Sequence, residues 1–220
     1  ANDMQDDGNF YTKYKSFFIK GLQNTILISF VGVVFGAILG AFIALMKLSK
    51  FKPLSWIASI YIEFLRGTPL LVQVFIVFFG TTAALGLDIS ALICGTIALV
   101  INSSAYIAEI FRAGINSIDK GQTEAARSLG LSYNQAMKSV VMPQAIKNIL
   151  PALGNEFVTL IKESSIVSTI GVGEIMFNAQ VVQGISFDPF TPLLVAAGMY
   201  FILTFALSRI MNFIEGRMKA

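Results

Sequence analysis

The sequence predicts an all-α membrane protein with five transmembrane helices, its N-terminus outside and its C-terminus inside. Three observations lead there. Hydrophobic residues make up 55% of the 220 and charged ones 13%, and the mean hydropathy is +0.72, far oilier than a soluble chain of this length. Several apolar runs are long enough to cross about 30 Å of hydrocarbon at helical rise. The Lys and Arg residues are also unevenly placed: 12 of the 16 fall on one side of the layout, Lys13, Lys15 and Lys20 on the other, and Lys162 in the membrane. The richer side is the cytoplasmic one.

Taken in order, Ala1 to Phe18 is polar, acidic at Asp3, Asp6 and Asp7, and lacks the basic-then-apolar layout of a signal peptide. Residues 1–20 read as a tail or linker, and the Ala at position 1 suggests a natural chain that begins earlier. Residues 26–46 form an uncharged first span, followed by Lys47, Lys50 and Lys52 on the inner side. Gly32, Gly36 and Gly40 recur every fourth residue, the stripe that lets helices pack closely.

Residues 54–85 are too long for one ordinary span and are divided by Gly67 and Pro69. Trp56, Ile57, Ile60, Tyr61, Phe64 and Leu65 share a face, so residues 56–65 read as an interfacial or packed amphipathic helix and residues 69–85 as the second span. Arg66 is either an interface anchor or a gate at the cytoplasmic mouth of a pathway. Residues 91–111 form the third span, with a polar centre at Asn102, Ser103 and Ser104 that either bonds helix to helix or lines a cavity. Glu109 and Arg112, three apart at its inner end, suit a local ion pair.

Residues 120–143 interrupt the apolar pattern with two short helices. Asp119 is placed to cap the first, residues 122–129, and Gly130 to end it in a left-handed conformation. Ser132 and Gln135 have capping-box spacing for the second, which Pro143 is expected to interrupt. Ala125 and Ala126 are small enough for close approach by another chain, with Glu124 and Arg127 at the rim.

The fourth span, about residues 152–170, carries charge into the membrane. At 100° per residue from Asn155, the positions Thr159, Lys162, Glu163 and Glu156 fall within an arc of about 120°. Scattered charges would face lipid at about 2.5–3.5 kcal/mol each, so one polar arc implies a lined interior. That interior is either a structural ion pair or a cavity offering both signs to an amino acid. After Gly171, Val172 and Gly173 comes an outer segment with Glu174 and Asp188, too polar for a span. Residues 192–211 make the fifth crossing, held in the cytoplasm by Arg209, Arg217 and Lys219.

Glu124-Ala125-Ala126, then Gly130, then Val140-Val141-Met142-Pro143 resembles the EAA signature of ABC-importer permease subunits. The segments Gly21 to Thr25, Arg66 to Leu71, Ala105 to Arg112 and Gly154 to Phe157 resemble, in order, the branch that imports polar amino acids. The likeness covers roughly residues 20–215 and implies a type I ABC importer transmembrane domain over 21–220, in the bacterial plasma membrane. It implies that Gln122, Glu124, Ala125, Ala126 and Gly130 form a coupling helix seated in a cytoplasmic ATPase. It also implies two permease subunits, expected as a homodimer rather than a heterodimer with a paralogue, two ATPase subunits, and an extracytoplasmic binding protein or fused domain.

The chain lacks a G-x-x-x-x-G-K-S/T phosphate loop, so ATP and Mg belong to the partner ATPase and no cofactor is expected here. With no histidine and only Cys94, a His/Cys zinc site, an intrachain disulfide and histidine-based catalysis are excluded. Cys94 reads as packing. The substrate residues expected are Asn102, Ser103, Glu156, Thr159, Lys162 and Glu163. Their net charge of −1 favours arginine, lysine or histidine, with glutamine next. An ion-coupled secondary transporter is the alternative, but the sequence has no repeated half. An intramembrane enzyme would lack acid–base groups beyond Glu156 and Glu163.

Overall fold

The computed structural model describes residues 7–220, folded into helices and short connections with no strand among them. Asp3 and Asp6 lie outside the described residues. Helix α1 runs unbroken over Asp7–Leu48, so the stretch expected to be a tail through residue 20 is helical from Asp7 onward. An aromatic face explains this: Tyr14 and Phe18 are buried in a cluster with Ile175, Ala179, Val182 and Ala196 of two later helices.

Helix α4, Ala91–Asn116, is the central rod. Burial covers 56% of its most apolar window, against 6% of the corresponding window in α9, Thr191–Lys219. The glycine stripe of α1 is what admits α4: a Cβ on Gly36 would lie 2.5 Å from Ser103 Oγ, and one on Gly40 2.9 Å from the Ser104 carbonyl oxygen. The stripe is therefore a packing seam. Cys94 is buried in α4, as expected of a packing residue.

Helices α2 (Lys52–Gly67) and α3 (Leu70–Phe79) meet at 106°, and α3 continues through a π turn over Gly80–Ala84. Pro69 forces Thr68 into an extended conformation, and that makes the corner. Trp56, Ile57, Ile60 and Phe64 are all more than half exposed, while Ala58, Ile62 and Leu65 pack inward. Most of the apolar face predicted for this helix thus points away from the bundle, as an interfacial helix requires.

Pro143 was expected to stop a helix, and it does not. Helices α5 (Lys120–Ser128) and α6 (Tyr133–Ala136) lead into a π turn over Met137–Val141 and then α7, Met142–Glu163. The wider turn lies where the proline ring would strike the carbonyl of Ser139, so the rod continues. It ends in a 3-10 stretch, Ser164–Ile170, and Gly171 at φ 89° turns the chain by 50° into α8, Ile175–Ser186. The segment read as a polar outer stretch is thus a helix, buried on α1 and α9 through Ile175, Ala179 and Val182.

Helix α9 closes the molecule against α7, where Gly154 faces Met211. Helices α1, α4 and α9 are each long and apolar enough to cross a membrane. The bent pairs raise the number to as many as five.

Candidate functional site

A cleft of about 560 Å³ opens between the end of α2, the second half of α4 and the middle of α7. Arg66 enters from α2 because it is the last charged residue before the corner. Its guanidinium lies 5.6 Å from the centroid of the Tyr106 ring, within cation–π range. From α7, whose turns place every third or fourth residue on one face, come Asn148, Asn155, Glu156 and Thr159. The walls therefore offer one cation, two carboxylates, two amides and the hydroxyls of Tyr106, Ser117 and Thr159.

Glu109 also reaches the wall, but it is held locally. Its carboxylate receives Lys47 Nζ at 2.7 Å and Arg112 Nη2 at 2.9 Å. The pair expected with Arg112 is present, and Lys47 from the end of α1 makes it a triad. With Glu109 shared between two cations, Glu156 is the acid of the wall not tied into that triad, and it lines the same cleft as Arg66.

Of the six substrate residues expected, the structure brings Glu156 and Thr159 to the cleft. Asn102 and Ser103 are turned elsewhere, at 3% and 0% exposure. Asn102 Nδ2 donates to Gln73 Oε1 at 2.9 Å, and Ser103 Oγ lies 3.5 Å from the Gly32 carbonyl. A polar centre buried where α1 and α3 meet α4 is used between helices, which is the other reading that segment allowed. Lys162 is exposed and Glu163 half-buried, about one turn further along α7 than Thr159.

Sequence reasoning missed two polar centres. Gln73 is the lone amide of the apolar second span, and an amide in that setting needs partners. Glu174 is fully buried, accepting from Phe177 N at 2.8 Å and from the Tyr200 hydroxyl. It caps α8 and ties it to α9. Its isolation beside Gly173 was the available signal.

The knob forms as its sequence directs. Asp119 Oδ1 accepts from Gly121 N at 2.7 Å, Gly130 adopts φ 94°, and the Ser132–Gln135 capping box is closed from both sides at 3.2 and 2.9 Å. Ala125 and Glu124 are exposed, but Ala126 is 5% exposed and packs beneath the helix. Of the two alanines, only Ala125 is therefore on the open face of this elbow. Gln122 Oε1 accepts from Gln144 Nε2 at 3.2 Å, bracing the knob on α7. Leu129, at 85% exposure, and Tyr133, at 53%, stand beside it.

Residues 18–220 match the family of binding-protein-dependent transport system inner membrane components. The arginine transport system permease protein ArtQ of Bacillus subtilis is 44% identical over 204 residues, with 93% of each chain covered. The probable glutamine ABC transporter permease protein GlnM of the same organism is 41% identical over 204 residues, covering 93% of this chain and 94% of the relative. Among solved structures, an amino acid ABC transporter crystallised with histidines superposes at a TM-score of 0.90, 48% identity and 94% and 96% coverage of the two chains. The MetNI methionine ABC transporter in an inward-facing conformation shares the fold at 0.76 and 20% identity, over 92% of this chain and 96% of that one.

Proposed function

Because the chain belongs to the family of binding-protein-dependent transport system inner membrane components, we propose that its cleft is the route by which a polar amino acid enters the cell. The chain is a non-catalytic, multi-pass permease subunit of a bacterial ABC importer, and ATP hydrolysis is done by a partner ATPase. The observation that carries the substrate reading is Arg66 and Glu156 on one cleft. A free amino acid has a carboxylate for the first and an ammonium for the second. Relatives named for arginine and glutamine support the same class. Lys162 and Glu163 extend the polar strip beyond the cleft, and Glu156 and Glu163 against Lys162 give that strip a net charge of −1, which favours a basic amino acid over glutamine.

Five crossings with the knob in the cytoplasm follow from charge placement, and the two bent helix pairs, counted as one span each, support that number. The knob from Gln122 to Gly130 would then be gripped by the ATPase. Exposed Ala125, beside Leu129 and Tyr133, gives that partner a shallow apolar seat with Glu124 at its rim. Mg and ATP are held in the ATPase. A second copy of this chain completes the pathway, two ATPases drive it, and an extracytoplasmic binding protein or fused domain delivers the amino acid. Closure of the ATPases carries the knobs together and opens the cleft outward, and hydrolysis resets it inward. An ion-coupled cycle is disfavoured by the family and by the lack of paired repeats.

Reconstituted with its ATPase and binding protein, the wild-type complex should hydrolyse ATP faster with arginine or lysine than with aspartate. Arg66→Ala and Glu156→Gln should each lower uptake at least about tenfold, the loss of one charge-assisted contact. Wild-type uptake by both variants would show that the cleft is not the route.

A further inference from the structure

The 106° corner between α2 and α3 leaves the last carbonyls of α2 without helical partners. Gln73, 6% exposed, sits inside that corner. Its Nε2 donates to the Leu65 carbonyl at 2.9 Å, the Thr68 carbonyl at 3.2 Å and Thr68 Oγ1 at 2.8 Å, while its Oε1 accepts from Asn102 Nδ2 at 2.9 Å. One amide thereby sews both limbs of the corner to α4. Arg66 lies between the two tethered residues, Leu65 and Thr68. Its guanidinium rests on Tyr106, four residues after Asn102 and so on the same face of α4. The corner and the cation of the cleft are referenced to one stripe of the central rod.

We propose that Gln73 is a positioning residue for import, holding Arg66 over the cleft by tying the α2–α3 corner to Asn102. The inference rests on the cleft being the amino acid route. A side chain that only stabilised the fold would scale import and ATP hydrolysis down together, because fewer complexes would be active. A positioning residue instead lowers the import obtained per ATP while hydrolysis persists.

The test measures labelled arginine uptake and ATP hydrolysis in proteoliposomes holding the full complex, for Gln73→Leu, Arg66→Ala and the double variant. Gln73→Leu should raise the ATP hydrolysed per arginine imported about fivefold, Arg66→Ala at least as much, and the double no more than Arg66→Ala, since residues acting through one another are non-additive. Should the two ratios multiply in the double variant, or should Gln73→Leu leave the ratio unchanged while Arg66→Ala raises it, the positioning role is wrong and the cleft reading survives. An unchanged ratio and uptake in Arg66→Ala would sink both. Thiol labelling of buried Cys94 reports whether each variant is folded. If Gln73→Leu is not, Thr68→Val removes one of its partners in a half-exposed setting and must shift the ratio in the same direction, by about twofold for a single neutral bond, or the proposal fails.

Discussion

Glu174 is a carboxylate with no exposure whose partners are the Phe177 amide and the Tyr200 hydroxyl. Removing it strands a buried hydroxyl and a helix N-terminal amide. Glu174→Ala should cost about 2–3 kcal/mol in a thermal melt of the detergent-solubilised chain, and Tyr200→Phe about as much, because the carboxylate then keeps its Phe177 amide but the Met176 amide, 3.2 Å from the Tyr200 hydroxyl, loses its acceptor. Asp188 works at the surface. Its carboxylate accepts from the Phe190 and Thr191 amides at 2.9 and 3.0 Å, and the Thr191 side chain and these amides hold its pKa below the ordinary carboxylate range. A depressed carboxyl contributes order that is complete above its unfolded pKa and lost as pH falls through the folded value. Protection of the Phe190 and Thr191 amides, taken relative to their intrinsic exchange rate at each pH, should therefore hold at neutral pH and fall only in acid, whereas Asp188→Asn should remove most of that pH dependence.

Among the elements, the seam of α1 and α4 is set by absent side chains. Gly40→Ala would bring a methyl to 2.9 Å from a backbone oxygen of α4, which cannot swing aside as a side-chain end could. The helices must part, at a cost of about 1–3 kcal/mol by chemical denaturation. The knob depends on the opposite property, an open face. Ala125→Asp should leave the melting temperature within about 2 °C, as exposed substitutions do, while abolishing co-purification with the ATPase and ATP-driven uptake. Unchanged uptake would remove the coupling role from this helix. Gly130→Val combines a positive φ with a β-branched side chain and should weaken ATPase binding by deforming the elbow.

For the molecule as a whole, α4 is the packed axis and α9 the outermost rod, exposing Phe201, Ile202 and Phe213 by more than 60% each. Lipid or a second copy must cover such a surface in the membrane. With the charge layout putting the knob inside, Ser128→Cys should react with a membrane-impermeant maleimide only in inside-out vesicles, and Lys15→Cys only in right-side-out ones. Cys94, buried, leaves the background low. Labelling of Ser128→Cys from outside would invert the topology and separate the knob from any cytoplasmic motor.

Local chemistry explains what could be read from residues alone. Asp119, Gly130 and the Ser132–Gln135 box act over two or three residues, so the elbow appears where its letters place it. Apolar run length and charge asymmetry depend only on the chain and its solvent, and they gave the membrane class. The polar strip of α7 was legible as far as Asn155, Glu156 and Thr159, because helical period decides which residues share a face. What a face meets depends on neighbours far away in sequence. Asn102 and Ser103 look like cavity residues until Gln73 and Gly32 are brought against them, and the start of α1 looks like a tail until α8 and α9 bury Tyr14 and Phe18. The sequence by itself thus determined which segments leave water and where the chain turns, since those follow from transfer energy and local backbone bonding. Only the tertiary structure decided which polar groups satisfy one another and which are left to line the cleft, because pairing is settled by packing between helices, across 29 residues for Asn102 and Gln73 and 71 for Ser103 and Gly32.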